Sequence, residues 1–310
     1  MALWPPFEPG GPVAPAPPTA DRPAAAVVIA IAGSFFAASM QALVREVSTE
    51  VHPFQIAFVR AAVGALFCAA LVIGMGTVTF RPQAPLLNLI RGVLGGVSIS
   101  LWFLGLSLVP LAEPTALSFT SVIFASVGAI LVLGERMGLR RWSGVTLSVL
   151  GMLVMLRPGA EAVQVGALVV LGASCVGGIN MLLSKVLVRH DPAQTVVFWT
   201  SVIVSVATAV PAWLVWEAPS AVAWAKMIVI GCLASLGMFG MTYAVRLADA
   251  TLVNPMEFTR LVWATILGYL LFAEIPDGWT ATGGLMIMAG TLYIGLREAW
   301  IARATRRRAL

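Results

Sequence analysis

Charge is what this sequence has least of. Lys, Arg, Asp and Glu make up 11% of the 310 residues, against 59% hydrophobic, and the mean hydropathy is +0.94. A soluble domain carries about a quarter charged residues, so there are too few polar side chains here to coat a globule in water. Histidine is nearly missing too. The two present, His52 and His190, border different apolar segments and fall at opposite membrane faces, which removes a shared metal or acid–base site. Cys68, Cys175 and Cys232 lie inside apolar runs without metal-like spacing and read as small packing residues. No HExxH occurs, and no nucleophile stands beside a base. The reading is therefore no catalytic residue, no metal and no cofactor, and a membrane enzyme is disfavoured.

Long apolar runs are what the chain has instead. Ten follow one another, at 25–44, 53–75, 86–108, 112–133, 142–156, 164–187, 194–216, 221–244, 251–272 and 279–297. Most approach the ~20 residues that carry a helix across a bilayer. They are helices because a lipid-facing backbone must satisfy its own hydrogen bonds, and they are too long for barrel strands. The net charge of +5 is a matter of topology and not the footprint of a nucleic acid. With the N-terminus placed inside, only Arg45, Arg157 and Lys226 fall outside, and Arg60 and Arg260 fall within spans. Every other Lys and Arg, Arg91 included, counts on the inner side. That bias predicts both termini cytoplasmic in a bacterial-type inner membrane. Residues 1–24 are Pro- and Gly-rich and read as a disordered cytoplasmic tail, with no signal-peptide pattern. Residues 299–310 form a basic cytoplasmic tail able to meet anionic lipid.

The chain repeats itself at an offset of 139. Gly33 falls over Gly172, Pro53 over Pro192, Gln55 over Gln194, Glu135 over Glu274, Gly144 over Gly283 and Gly151 over Gly290. "FTSVIFAS" (119–126) likewise falls over "FTRLVWAT" (258–265), and "LAEPT" (111–115) over "LADAT" (247–251) with the offset slipped to 136. Two halves of five spans follow, 25–159 and 160–298. Five is odd, so the second half enters from the opposite side. Inverted repeats with a site between them are the plan of many secondary transporters.

This repeat, with "FQIAFVR" (54–60), "PLAEPTALSFTSVIFASVGAILVLGE" (110–135), "LRRW" (139–142), "LRPG" (156–159) and "TRLVWATILGYLLFAEIPD" (259–277), resembles EamA-type permeases of the drug/metabolite transporter superfamily. The subgroup it is most similar to includes S-adenosylmethionine and riboflavin carriers. The resemblance implies an all-α polytopic membrane protein, with ten transmembrane helices as two inverted five-helix repeats around a central cavity. It does not carry a cargo over.

Candidate substrate-binding residues come from polar groups stranded in apolar helices. Glu257 and Arg260 lie three apart in the ninth span, with Arg260 roughly 13 Å deep at 1.5 Å per residue. A charge there must face protein or water, either as a local ion pair or in a binding chamber. At the matched first-half positions stand Ser118 and Ser121, so the architecture itself does not demand charge. Arg60 in the second span, matched to Trp199, and Gln41 and Asn180, matched to each other, extend the set. Trp102, Phe119, Trp199, Tyr243 and Trp263 are aromatic candidates for stacking on a planar cargo. Glu113 and Asp249, at matched ends of the fourth and ninth spans, are candidate gates.

Two arginines against one glutamate point to a small amphipathic cargo, anionic or zwitterionic: amino-acid-derived, nucleoside-like or vitamin-like. Protons are a candidate coupling ion through Glu257. The alternatives are an exporter of cationic drugs, disfavoured because the first span lacks an acid, and a non-transporting scaffold or lipid sensor. The expected partners are a small molecule and membrane lipid, with no nucleic acid, and the chain is a monomer or a homodimer.

Overall fold

The computed structural model describes residues 23–75, 82–133, 139–156, 165–187, 191, 193–248 and 253–308. The tail at 1–22, Glu135, Arg157 and Asp249 lie outside the described residues. Among these residues there are helices and no strand. They are α1 (Pro23–Val47), α2 (Pro53–Met75), α3 (Pro85–Leu108), α4 (Ala112–Ser118), α5 (Ser121–Leu133) and α6 (Leu139–Leu156). Then come α7 (Val165–Leu187), α8 (Ala193–Leu214), α9 (Ala221–Leu247), a 3-10 turn at Asn254–Phe258, α10 (Thr259–Phe272) and α11 (Gly278–Arg308). Six of them are long and apolar enough to cross a membrane.

The outside of the bundle is greasy. Trp213 is 80% exposed, Leu66 72% and Leu270 68%, values that fit a surface wetted by lipid and not by water. Inside, Val44, Ile56, Phe103, Leu106, Leu111, Met227 and Ala264 form one core. A second core joins Leu117, Phe119, Met155, Val170 and Ile287. Trp102 packs against both.

The helices pack across the two halves: α1 on α9, α3 on α7, α2 on α8 and α6 on α11. The α6–α11 contact is backbone-close. A Cβ at Gly151 would sit 2.7 Å from the Gly283 carbonyl oxygen, and one at Gly290 would sit 2.5 Å from the Gly144 oxygen. Ser148 Oγ donates to the Ile287 carbonyl at 3.3 Å, across an interval of 139 residues. Small residues let helix axes approach this far in a membrane, where van der Waals contact replaces the hydrophobic drive.

The fourth expected span, 112–133, is not one helix. It tightens at Phe119–Thr120, where Phe119 N–H bonds the Ala116 oxygen at 3.2 Å and Thr120 N–H the Leu117 oxygen at 3.0 Å. The ninth tightens at the matched place: its 3-10 turn ends at Phe258 and α10 begins at Thr259. Phe119 (φ −66, ψ −17) and Phe258 (φ −67, ψ −19) have the same backbone. Hydroxyls add a second bond to the carbonyls at these turns, where backbone polarity in a membrane has to be satisfied within the protein. The Leu117 oxygen accepts from Thr120 at 2.6 Å and Ser174 at 3.2 Å; the Met256 oxygen accepts from Thr259 at 2.6 Å and Ser34 at 3.0 Å. The last helix also differs from expectation, running on to Arg308.

Candidate functional site

The two tightened turns meet. Phe119 and Phe258 lie with ring centroids 4.6 Å apart, and Arg260 reaches back over them with its guanidinium carbon 5.2 Å from the Phe119 ring centre. Arg260 Nη2 donates to Ser118 Oγ at 3.0 Å, and Nη1 stands 3.7 Å from Glu257 Oε1. The Ser118 hydroxyl is free to accept because its own proton goes to the Thr115 carbonyl at 2.7 Å. So the expected i, i+3 pair exists, but it is loose. The Glu257 side chain is 52% exposed and that of Arg260 18%, which leaves the acid open to a further partner.

Two unsatisfied donors belong to this cluster. Arg260 Nε and Trp263 Nε1 are buried donors without a hydrogen-bond partner, one helical turn apart and so on neighbouring positions of one face. The Trp263 ring meets Phe35 edge-on at 5.2 Å. Buried polar groups are normally paired; these two adjacent donors are not. Gln41 joins through Thr115, whose hydroxyl lies 2.7 Å from Gln41 Oε1 and 2.9 Å from the Leu111 carbonyl. Asn180 Oδ1 and Arg60 Nε are buried and unpartnered as well.

The other candidates have different surroundings. Trp199 lies against Phe198 at 5.8 Å. Tyr243 is 43% exposed and stacks on Phe239. Glu113 lines a cavity of about 220 Å³ together with Ala264, Thr265, Gly268, Glu274 and Asp277. Arg260, Ala264 and Gly268 recur at four-residue intervals, the spacing of one helix face, so this cavity stands directly beyond Arg260 on α10. At its rim, Glu274 pairs with Arg45 and accepts from the Leu111 N–H at 2.9 Å. Arg45 also donates to the Val109 carbonyl at 2.8 Å and lies 5.1 Å over the Phe272 ring. Ala273, in the left-handed region at φ 54, turns Glu274 into this contact.

The sequence marks Glu274 as the offset-139 match of Glu135 at a helix end, a candidate gate by symmetry. Its bond to Arg45 joins segments far apart in the chain and leaves no local spacing to find. Ser118 carried a signal, as the first-half match of Glu257. The loops use a related device twice. Asp191, 2% exposed, accepts from Gln83 N–H at 2.6 Å and Asn88 Nδ2 at 2.8 Å before α3. Glu50 accepts from Ser220 N–H at 3.2 Å before α9. Bonds from the Ser220 side chain and then its backbone hold the Glu50 carboxyl below the usual carboxylate range.

Helices that pack across two halves, with a charged cluster at the junction and an apolar outer surface, define a multi-pass membrane protein built around a polar centre. The chain belongs to the EamA-like transporter family, whose model matches residues 24–157 and again 164–296. It is 26% identical over 246 residues to the S-adenosylmethionine uptake transporter of Rickettsia prowazekii, covering 79% of this chain and 84% of that protein. It is 29% identical over 274 residues to the pseudopaline exporter CntI of Pseudomonas aeruginosa, covering 86% and 95%. With the riboflavin transporter of Rhizobium johnstonii it shares 28% over 237 residues, covering 75% and 78%. A solved crystal structure shares the fold at a TM-score of 0.60 and 18% identity, over 87% of this chain and 96% of that one. The family and these relatives are transporters of small molecules, not enzymes.

Proposed function

We propose that the chain is a secondary transporter that moves a small amphipathic metabolite, anionic or zwitterionic, across a bacterial cytoplasmic membrane by alternating access. In this reading ten spans form two inverted repeats, 25–159 and 160–298, with residues 1–24 and 299–310 as cytoplasmic tails. The reciprocal contacts Gly151–Gly283 and Gly144–Gly290 support it. Each pair turns into the other when the halves are exchanged, and the order of residues runs oppositely along α6 and α11, as a twofold axis in the membrane plane requires. Matched residues touch only near such an axis, and Phe119–Phe258 and Ser148–Ile287 do.

The observation that carries the cargo assignment is the loose Glu257–Arg260 pair, with Arg260 Nε and Trp263 Nε1 left without acceptors. A carboxylate or carbonyl satisfies the two donors, an ammonium suits the open face of Glu257, and Phe119, Phe258 and Phe35 supply an apolar wall. Arg60 is a further anion-binding position in this reading, and Glu257 is the group through which protons would couple.

The test is flux into and out of proteoliposomes of the full chain. S-adenosylmethionine and riboflavin serve as first probes, followed by an amino-acid and nucleoside panel. Saturable movement of amphipathic acids or zwitterions is expected. Movement restricted to neutral sugars or simple cations would falsify the reading.

A further inference from the structure

Arg91 counts by sequence as a charge at the membrane face. The structure places it inside α3, six residues past Pro85 and so about 9 Å along the helix. Its Nε donates to Ser184 Oγ of α7 at 2.7 Å and its Nη1 to Thr200 of α8. Among the described residues no carboxylate pairs with it. Two hydroxyls are weak compensation for a guanidinium held among apolar helices.

A polar seam leads from Arg91 to the central cluster. The Ser184 hydroxyl rests on the Asn180 carbonyl at 2.7 Å, one turn nearer the middle of α7. A Cβ at Gly95, one turn beyond Arg91 on α3, would lie 3.1 Å from Asn180 Nδ2, and Asn180 Oδ1 is buried with no partner. A turn further, a Cβ at Gly177 would lie 3.4 Å from Ser98 Oγ and 3.9 Å from Ser121 Cβ. Ser121 stands one turn past Ser118, which holds Arg260. The polar residues Arg91, Asn180, Ser98, Ser121, Ser118 and Arg260 thus follow one another at intervals of about one helical turn. The cavity beside Glu274 lies at the other end of α3, where Val109 binds Arg45. From Arg91 to Val109 is about 27 Å of helix, close to the thickness of a hydrocarbon core.

Resting on the transport reading above, we propose that the α3–α7 seam is the second half of the permeation route, shut in this structure, and that Arg91 is a specificity-determining residue that receives the carboxylate of the cargo from Arg260. A cargo carboxylate finds a guanidinium at each end of the seam, Arg260 beside Glu257 at the centre and Arg91 at the far end. The polar groups along the seam are serines and one asparagine, with Val204 packed against Gly95 and Phe124 against Gly178 beside them, and they are free to wet as soon as α3 parts from α7.

The experiment uses the full chain in membrane vesicles of both orientations, with Cys68, Cys175 and Cys232 replaced by alanine and Ser184→Cys introduced. Anionic and cationic methanethiosulfonate reagents are compared, each normalised to its rate with free cysteine. A focused positive field raises anion on-rates by about tenfold or more, so the anionic reagent should gain about tenfold over the cationic one, from the Arg91 face only. Adding Arg91→Gln should abolish the gain. Met181→Cys, on the 49% exposed outer side of α7, should stay unmodified. If Ser184→Cys does not reach the membrane, Ser98→Cys carries the same comparison. A cysteine silent from both faces, or one that reacts with no charge preference, overturns the proposal. Flux recorded in parallel separates the two readings. Flux without charge preference sinks the seam alone, and charge preference without flux sinks the transport reading alone.

Discussion

Ser148 hydrogen-bonds the carbonyl of Ile287, the residue 139 positions further on. The bond sits in the glycine seam between α6 and α11, where backbone meets backbone. At Gly151 an added methyl would lie 2.7 Å from the Gly283 oxygen and 2.8 Å from Ile287 N, with no flexible side chain to move aside. Gly151→Ala should therefore destabilise the protein by about 1–3 kcal/mol, the usual cost of overpacking. Thermal unfolding in detergent, followed by size-exclusion, checks this. Gly64→Ala, where the new methyl meets nothing within 4 Å, is the matched control and should leave the midpoint unchanged or raise it, alanine being the better helix former.

Arg260→Ala removes the donor to Ser118 and the cation over Phe119. Hydrogen bonds to charged groups contribute about 1.5–3 kcal/mol, so cargo affinity should fall by about 10- to 150-fold. Arg260→Lys keeps the charge but loses the planar fork and should recover only part of it. Concentration dependence of flux measures both.

Glu257→Gln should leave the fold intact and remove any dependence of flux on pH. A variant that keeps the wild-type pH profile would clear Glu257 of a coupling role.

Ala273 adopts the left-handed conformation at φ 54, which costs a residue with a Cβ about 1–2 kcal/mol relative to glycine. Ala273→Gly should raise the unfolding midpoint and leave the Arg45–Glu274 contact in place. A lowered midpoint would mean that the strained turn is not limiting.

Glu50 gives the one pH effect that belongs to a loop. Its carboxyl is held below its ordinary range by bonds from Ser220. A depressed acid stabilises the fold above its unfolded pKa, and the contribution disappears as pH falls through the folded value. Glu50→Gln should therefore reduce stability near neutral pH and make no difference in acid. Because Glu50 is fully exposed, the effect should be small and weakened by salt.

Six of the spans, the repeat and the Glu257–Arg260 pair were legible because each has a period: a bilayer's width, a fixed offset and a helical turn. The tightened turns at Phe119 and Phe258 were not. "FTSVIFAS" and "FTRLVWAT" contain no Gly or Pro, and the hydroxyls of Thr120, Ser174, Thr259 and Ser34 that reach the Leu117 and Met256 carbonyls come partly from other helices. Asn180 and Arg60 could be named as polar residues in spans, but their lack of partners is a fact of packing. Arg91 was hidden by its position near a span's end, where an arginine ordinarily reaches water. Arg45 and Glu274 were hidden by the distance between them along the chain.

The glycine seam also ties the fate of the two halves together. A bulkier residue at position 151 displaces the backbone at 283, and one at 290 displaces that at 144, so neither half can drift there without permission from the other. The centre obeys no such rule: glutamate stands in one half where serine stands in its twin. Innovation in this molecule belongs where the copies already disagree.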